Sequence, residues 1–295
     1  MVLLDGKESA EFIKQKIKSE VAYFQQQGYR KPHLAAILVG DDGASKTYID
    51  SKERNSLAMG FNSTILRLPA ETSEAFLLEK IEEINNNPDI DGLLVQSPVP
   101  KHINEQKITQ AILPDKDVDG FHDINMGKLA KGDLSGFVPA TPLGVVMMLE
   151  KYNIDTNGKH CVVVGRSNIV GRPMSILMSN NSAYGNCTVT ICHSRTSNIE
   201  EYTSKADILI VALGKPGFIK ENMVREGAVV IDVGITRVDD ASKKAGFSLK
   251  GDVDFENVKE KASYITPVPG GVGLMTIAAL LQNTLKAYKK HLNIS

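Results

Sequence analysis

The chain reads as an α/β protein of two domains, with a Rossmann-like, doubly wound sheet in the second. Three observations predict this. Short apolar runs of strand length alternate with longer runs of helical period along the 295 residues, the pattern of βαβ units on a mostly parallel sheet. A second series of such runs opens at Cys161-Val162-Val163-Val164-Gly165-Arg166-Ser167, a buried strand that ends in a glycine turn. The length exceeds that of one ordinary domain.

Composition narrows the partners. Lys plus Arg number 34 against 35 Asp plus Glu, so there is no broad basic field for nucleic acid or an anionic membrane, and a small molecule is the expected ligand. Cys161, Cys187 and Cys192 are odd in number and lack a CxxC pair, which reads as reduced thiols in a cytoplasmic protein. Residues 1–7 carry no basic region or cleavage site and run straight into a helix, and no apolar run approaches the ~20 residues needed to span a bilayer. The histidines have no paired spacing, so no metal site is expected.

In chain order, Ala10, Ile13, Ile17, Val21 and Phe24 recur at three and four residues and give one apolar helical face. Strands are then expected at 34–39, 62–66 and 92–95, with helices at 44–58 and 74–84. The helix at 44–58 holds Tyr48-Ile49-Asp50-Ser51-Lys52. Residues four apart share a helical face, so the Tyr48 phenol and the Lys52 amine form a candidate proton-transfer pair. Ligands in parallel sheets collect at the carboxyl ends of strands, where two polar stretches lie. Gln96 follows the 92–95 strand and either satisfies backbone groups or bonds Lys52 or a substrate. Asp119 precedes Gly120 and is either an Asx-turn residue or a ligand contact.

Thr141-Pro142 fits an N-cap followed by proline at the first helical position, ahead of Val145, Val146 and Leu149, and the first domain crossing is placed there. The turn from Gly165 to Gly171 then leads into a helix whose first backbone amides are candidates to hold a pyrophosphate. Its spacing departs from GxGxxG, but further strands at 188–192, 207–213, 228–233 and 264–265 complete a dinucleotide-binding pattern. The second strand of this series ends in Cys192-His193-Ser194-Arg195-Thr196, with no acid before Glu200. Hydroxyls and cations suit a 2′-phosphate, so NADP is expected over NAD. Thr266-Pro267-Val268-Pro269-Gly270-Gly271-Val272-Gly273 precedes a long amphipathic helix and brings bare backbone close to a neighbour, read as a ligand-lining segment.

Taken together, Tyr48-Ile49-Asp50-Ser51-Lys52, Val95-Gln96-Ser97-Pro98, Asp117-Val118-Asp119-Gly120, the Gly165–Gly171 turn, Cys192-His193-Ser194-Arg195-Thr196 and the 266–273 segment resemble the bifunctional methylenetetrahydrofolate dehydrogenase/methenyltetrahydrofolate cyclohydrolase family over nearly the whole chain. The resemblance implies a folate-binding catalytic domain of residues 1–142 and 271–295 and a dinucleotide-binding domain of 143–270, flanking a cleft, with the last helix returning to the first domain. It implies NADP as cofactor, one-carbon tetrahydrofolates as ligands, and a homodimer. Lys52 is then the central catalytic group, Gln96 tunes it, Tyr48 stacks on the folate and Asp119 binds the pterin. Pro269, Gly270 and Gly271 line the folate. Gly165, Arg166, Ser167, Ser194, Arg195 and Ile235 contact the dinucleotide.

Two departures stand out: Leu274 replaces the proline usual after Pro-Gly-Gly-Val-Gly, and the segment 180–186 is longer than is typical, reading as a surface loop. Three other functions compete. A dehydrogenase without the hydrolytic step leaves Gln96 and Asp119 beside Lys52 unexplained. A reductase of another small metabolite leaves Asp119 and the Pro-Gly-Gly segment unexplained. A non-catalytic dinucleotide sensor has no need of the Tyr48 and Lys52 pair.

Overall fold

The computed structural model describes residues 1–243 and 246–294, with the backbone alone at Ala44. Lys244, Ala245 and Ser295, which fall inside the expected domains, lie outside the described residues. In chain order the elements begin with β1 (Val2–Leu3), α1 (Gly6–Gln26), β2 (His33–Val39), α2 (Gly43–Ala58), β3 (Asn62–Leu68), α3 (Glu74–Asn85) and β4 (Gly92–Val95). Helices α4 (Glu105–Ala111), α5 (Asp123–Ala130) and α6 (Ala140–Lys151) follow, then β5 (His160–Val164), α7 (Gly171–Ser179), β6 (Thr188–Cys192), α8 (Glu200–Thr203) and β7 (Ile208–Val211). The chain closes with β8 (Val229–Asp232), β9 (Thr236–Asp239), β10 (Phe247–Lys250), α9 (Phe255–Val258), β11 (Tyr264–Ile265) and α10 (Val272–Leu292).

Two compact units result. One comprises Glu11–Ala140 and Ile277–Ser295 and holds a parallel three-stranded sheet of order β3-β2-β4. Its central strand β2 is buried nearly throughout, as a parallel strand covered on both faces must be. Leu77 and Ile81 of α3 and Ile108 of α4 pack against Ala35, Ile37 and Leu93. At the amino end of the sheet, buried Asp91 accepts two hydrogen bonds from Arg30, both 2.7 Å, and one from the His33 N–H. The last helix does return to this unit. Asn283 of α10 donates to the carbonyls of Val118 and Val138, and Tyr288 donates to Arg30 O.

The other unit comprises Met1–Ala10 and Thr141–Thr276. Its six-stranded parallel sheet has the order β1-β11-β8-β7-β5-β6. From β5 the chain steps outward to β6 and then back across to β7, so the switch point at which doubly wound folds bind ligands lies between β5 and β7. Val162, Val164, Leu209, Val211 and Val230 form its core on one face.

Three expectations are corrected here. The N-terminus does not run straight into a helix: Val2–Leu3 first pairs with Tyr264–Ile265 as an edge strand, so residues 1–10 belong to the six-stranded unit and not to the first domain. Two residues carry no periodicity, and their partner strand is remote in sequence, so local pattern could not reveal them. The later crossing falls after Thr276, within α10, and not before Gly271. Thr141 is not an N-cap: α6 starts at Ala140, and the Thr141 hydroxyl lies 3.0 Å from that of Thr276 instead. The segment 180–186 is a surface loop, as expected.

Candidate active site and dinucleotide site

Helix α2 starts at its N-cap Asp42, whose side chain accepts the Ser45 N–H at 2.8 Å. Ser45, Ile49 and Ser56 are buried; with Lys52 they fall four, three and four residues apart, one face of the helix. Lys52 is therefore half-buried, and its ammonium donates to Gln96 Oε1 at 3.0 Å. Gln96 is held at the carboxyl end of β4 by its own N–H, which donates to Ile37 O at 2.8 Å, and its amide donates to Ser97 O at 2.7 Å. Both alternatives for Gln96 thus hold together: it satisfies a backbone carbonyl and bonds Lys52. Among the described residues Lys52 has no carboxylate partner, and neighbouring Asp50 pairs with Arg67. Tyr48 is 39% exposed, and its phenol bonds neither Lys52 nor any other described residue. The pair that forms is Lys52–Gln96, because the sheet delivers Gln96 to the buried face of the helix.

Asp117 and Asp119 divide the two roles weighed for Asp119. Residue 117 runs parallel beside Leu93 of β4, which carries the segment toward the strand end where Gln96 emerges. Asp117 makes the turn: its carboxylate accepts from the N–H groups of Gly120, Phe121 and His122 and from Asn125 Nδ2. Burial pushes its pKa up to about 6, against the lowering by Asn125 and the backbone amides. Asp119 is half-buried and its carboxylate has no hydrogen-bond partner among the described residues, so it remains available to a ligand. Sequence spacing offers the Asx turn to Asp119, but Asp117, two residues earlier, takes it once buried.

In the six-stranded unit, Gly165 has φ +132°, and a Cβ there would fall 2.3 Å from Ala212 O. A Cβ on Gly171 would lie 2.3 Å from Gly165 O. The two glycines let the strand end and the start of α7 touch. The amides expected to hold a pyrophosphate are, however, already taken. Ser167 Oγ accepts the N–H groups of Val170 and Gly171, Ser167 O accepts that of Arg172, and Pro173 has none. Among the described residues, the amides of Arg166, Ser167, Asn168 and Ile169, four exposed residues in the turn itself, have no partner. Arg166, Ser194 and Arg195 are exposed and free of carboxylate partners among the described residues, and Ile235 is 45% exposed. The turns at 165–170 and 193–197 carry no acid. This donor set of amides, a hydroxyl and guanidinium groups fits a phosphorylated dinucleotide.

The 266–273 segment lies close to bare backbone, and the neighbour is the start of α1. The Gly6 N–H donates to Gly270 O at 2.9 Å, and a Cβ on Gly6 would fall 2.0 Å from Gly271 O. Gly270 has φ +107°. Pro269 is exposed. Two further residues escaped the sequence reading: Asp232 and Asp252, buried at the ends of β8 and beyond β10. Burial, together with the Asp252 carboxylate, pushes Asp232 up to about 7 despite three backbone N–H donors. The only sequence signal for Asp232 is an acid closing an otherwise apolar strand, and Asp252 carries none.

These features define a two-unit α/β protein with a dinucleotide-binding sheet and a separate polar site on a smaller parallel sheet. Residues 4–119 match the catalytic domain of the tetrahydrofolate dehydrogenase/cyclohydrolase family, and residues 139–292 match its NAD(P)-binding domain. The chain belongs to this family. It is 57% identical to the bifunctional protein FolD of Cytophaga hutchinsonii, over 97% of this chain and 99% of that one. The FolD structure from Campylobacter jejuni is 45% identical and superimposes with a TM-score of 0.92 over 98% of this chain and 99% of that one. The Trypanosoma brucei dehydrogenase-cyclohydrolase, complexed with NADP cofactor and inhibitor, is 35% identical with a TM-score of 0.94 over 99% and 98%.

Proposed function

We propose that this chain oxidises 5,10-methylenetetrahydrofolate with NADP and hydrolyses the resulting 5,10-methenyl cation to 10-formyltetrahydrofolate, with Lys52, Gln96, Tyr48 and Asp119 as its folate site. The observation that carries the assignment of residues is the Lys52–Gln96 hydrogen bond, formed inside the segment that matches the family's catalytic domain. NADP, when bound, accepts the hydride that leaves the one-carbon bridge. The methenyl cation is electrophilic, and water adding to it must lose a proton before the ring opens. Lys52, as the neutral amine, takes that proton as a general base and becomes the ammonium that Gln96 holds. Gln96 fixes the direction of the amine by accepting one of its N–H bonds. Asp119, unpaired among the described residues, accepts hydrogen bonds from the amino-pyrimidine edge of the pterin, and the exposed Tyr48 ring stacks on it.

In the other unit the free amides of residues 166–169 take the pyrophosphate, with Gly165 admitting the backbone. Ser194, Arg195 and Arg166 would hold the 2′-phosphate, and Ile235 would contact the dinucleotide. Two copies pair through this unit, whose edge strand β6 leaves Ile191 exposed. Three reduced, buried thiols fit a cytoplasmic location. The test is an absorbance assay with methylenetetrahydrofolate and NADP or NAD in parallel, following NADPH and the methenyl band. NADPH formation followed by methenyl decay is expected. A preference for NAD, or methenyl that accumulates at its uncatalysed rate of decay, would refute the assignment.

A further inference from the structure

Two carboxylates are buried at the carboxyl ends of β7 and β8 with no cation beside them among the described residues. Asp252 Oδ2 accepts the backbone N–H groups of Leu213 at 2.5 Å and Gly214 at 2.9 Å, and Oδ1 accepts that of Lys215 at 2.6 Å. Asp232 in turn accepts the N–H groups of Gly234 at 2.9 Å, Asp252 at 3.0 Å and Val253 at 2.9 Å. Two glycines permit this density. A Cβ on Gly234 would fall 2.2 Å from Asp252 Cγ, and one on Gly251 would fall 2.0 Å from Asp232 Oδ2. Burying an uncompensated carboxylate is costly even after relaxation, and the three amide donors on each offset part of that cost.

The first of the loops so held borders the glycine turn. Ala212 O is the atom against which Gly165 rests, and the three amides bound by Asp252 follow it directly. The second loop leaves Asp232 through Gly234 to Ile235. Both lie at the end of the sheet where the switch point between β5 and β7 places a ligand.

We propose that Asp252 and Asp232 are positioning residues for NADP: they hold residues 212–215 and 233–235 in the cofactor-accepting shape before the cofactor arrives. This rests on the dinucleotide reading above. A neutral amide cannot replace Asp252, since one oxygen would face three N–H groups and its NH₂ would meet donors.

The test compares wild type with Asp252→Asn and Asp232→Asn. The expected result for Asp252→Asn is a KM for NADP raised about 10-fold or more, with dehydrogenase kcat at saturating NADP nearly unchanged. Hydrolysis of supplied methenyltetrahydrofolate, which needs no dinucleotide, stays at the wild-type rate. An unchanged KM, or equal loss of both activities in a variant that still unfolds cooperatively, overturns the proposal. If Asp252→Asn does not fold, amide hydrogen exchange on the wild type decides. Protection of Leu213, Gly214 and Lys215 without NADP supports the proposal, and exchange at free-peptide rates until NADP is added overturns it. A wild type that gives no NADP turnover refutes the functional reading instead, and calorimetric NADP binding then still tests the carboxylates.

Discussion

Removing Gln96 should slow hydrolysis only by way of Lys52, and a double-mutant cycle measures that dependence. The bond is a charged donor on a neutral acceptor at 3.0 Å, with both residues half-buried. Hydrogen bonds to charged groups are worth about 1.5–3 kcal/mol. Partial exposure points to the lower end, because water replaces part of the lost contact. At 1.36 kcal/mol per tenfold, Gln96→Ala should lower the cyclohydrolase rate about 10-fold. Lys52→Met keeps the apolar stem and removes the amine, so the loss should reach at least ~100-fold, the usual scale of general acid-base catalysis. If Gln96 acts on the amine and not on the substrate, the double variant should be no slower than Lys52→Met, a coupling of about 1.4 kcal/mol. The assay is the decay of methenyltetrahydrofolate absorbance for the four proteins at saturating substrate. Multiplied penalties, about 1,000-fold in the double variant, would show that Gln96 contacts the reaction independently. Near-normal decay with Lys52→Met would remove Lys52 from the mechanism.

Asp119→Ala should raise the KM for methylenetetrahydrofolate by about 10-fold or more while leaving NADP binding within twofold, since a charged acceptor is lost to the pterin alone; equal effects on both ligands would mark it as a structural residue. Arg166→Ala should weaken NADP by roughly 10- to 100-fold and NAD very little, the cost of one charge-assisted bond to a 2′-phosphate; competitive binding of the two cofactors reads the ratio, and an unchanged ratio contradicts the role. Asp232 gives a pH signature. Its folded pKa of about 7 lies above the ordinary 3.8, so the folded state holds a proton that the unfolded chain releases, and stability from this group is full below about 4 and lost as pH rises through about 7. Urea unfolding between pH 5 and 8 should therefore show wild type losing stability relative to Asp232→Asn, with a slope of at most ~1.4 kcal/mol per pH unit; parallel curves would contradict it.

The sequence by itself determined the α/β class, nearly every strand of the two sheets and the family, because strand length, helical period and turn glycines are local properties of the chain. It placed β2, β4, β6 and β11 within a residue of their observed ends, and it selected Lys52, Gln96 and Asp119. Tertiary structure alone decided what those residues touch. Tyr48 and Lys52 share a helix, yet Lys52 bonds Gln96 from a strand 44 residues away, because sheet register and not helix spacing sets the approach. Asp117 takes the turn that sequence offered to Asp119. Ser167 occupies the amides expected to hold phosphate, moving the free donors into the turn at 166–169. The N-terminal strand, the β9–β10 hairpin and the Asp232–Asp252 cluster depend on partners distant in the chain, and pairings of that kind leave no period in the residues that make them.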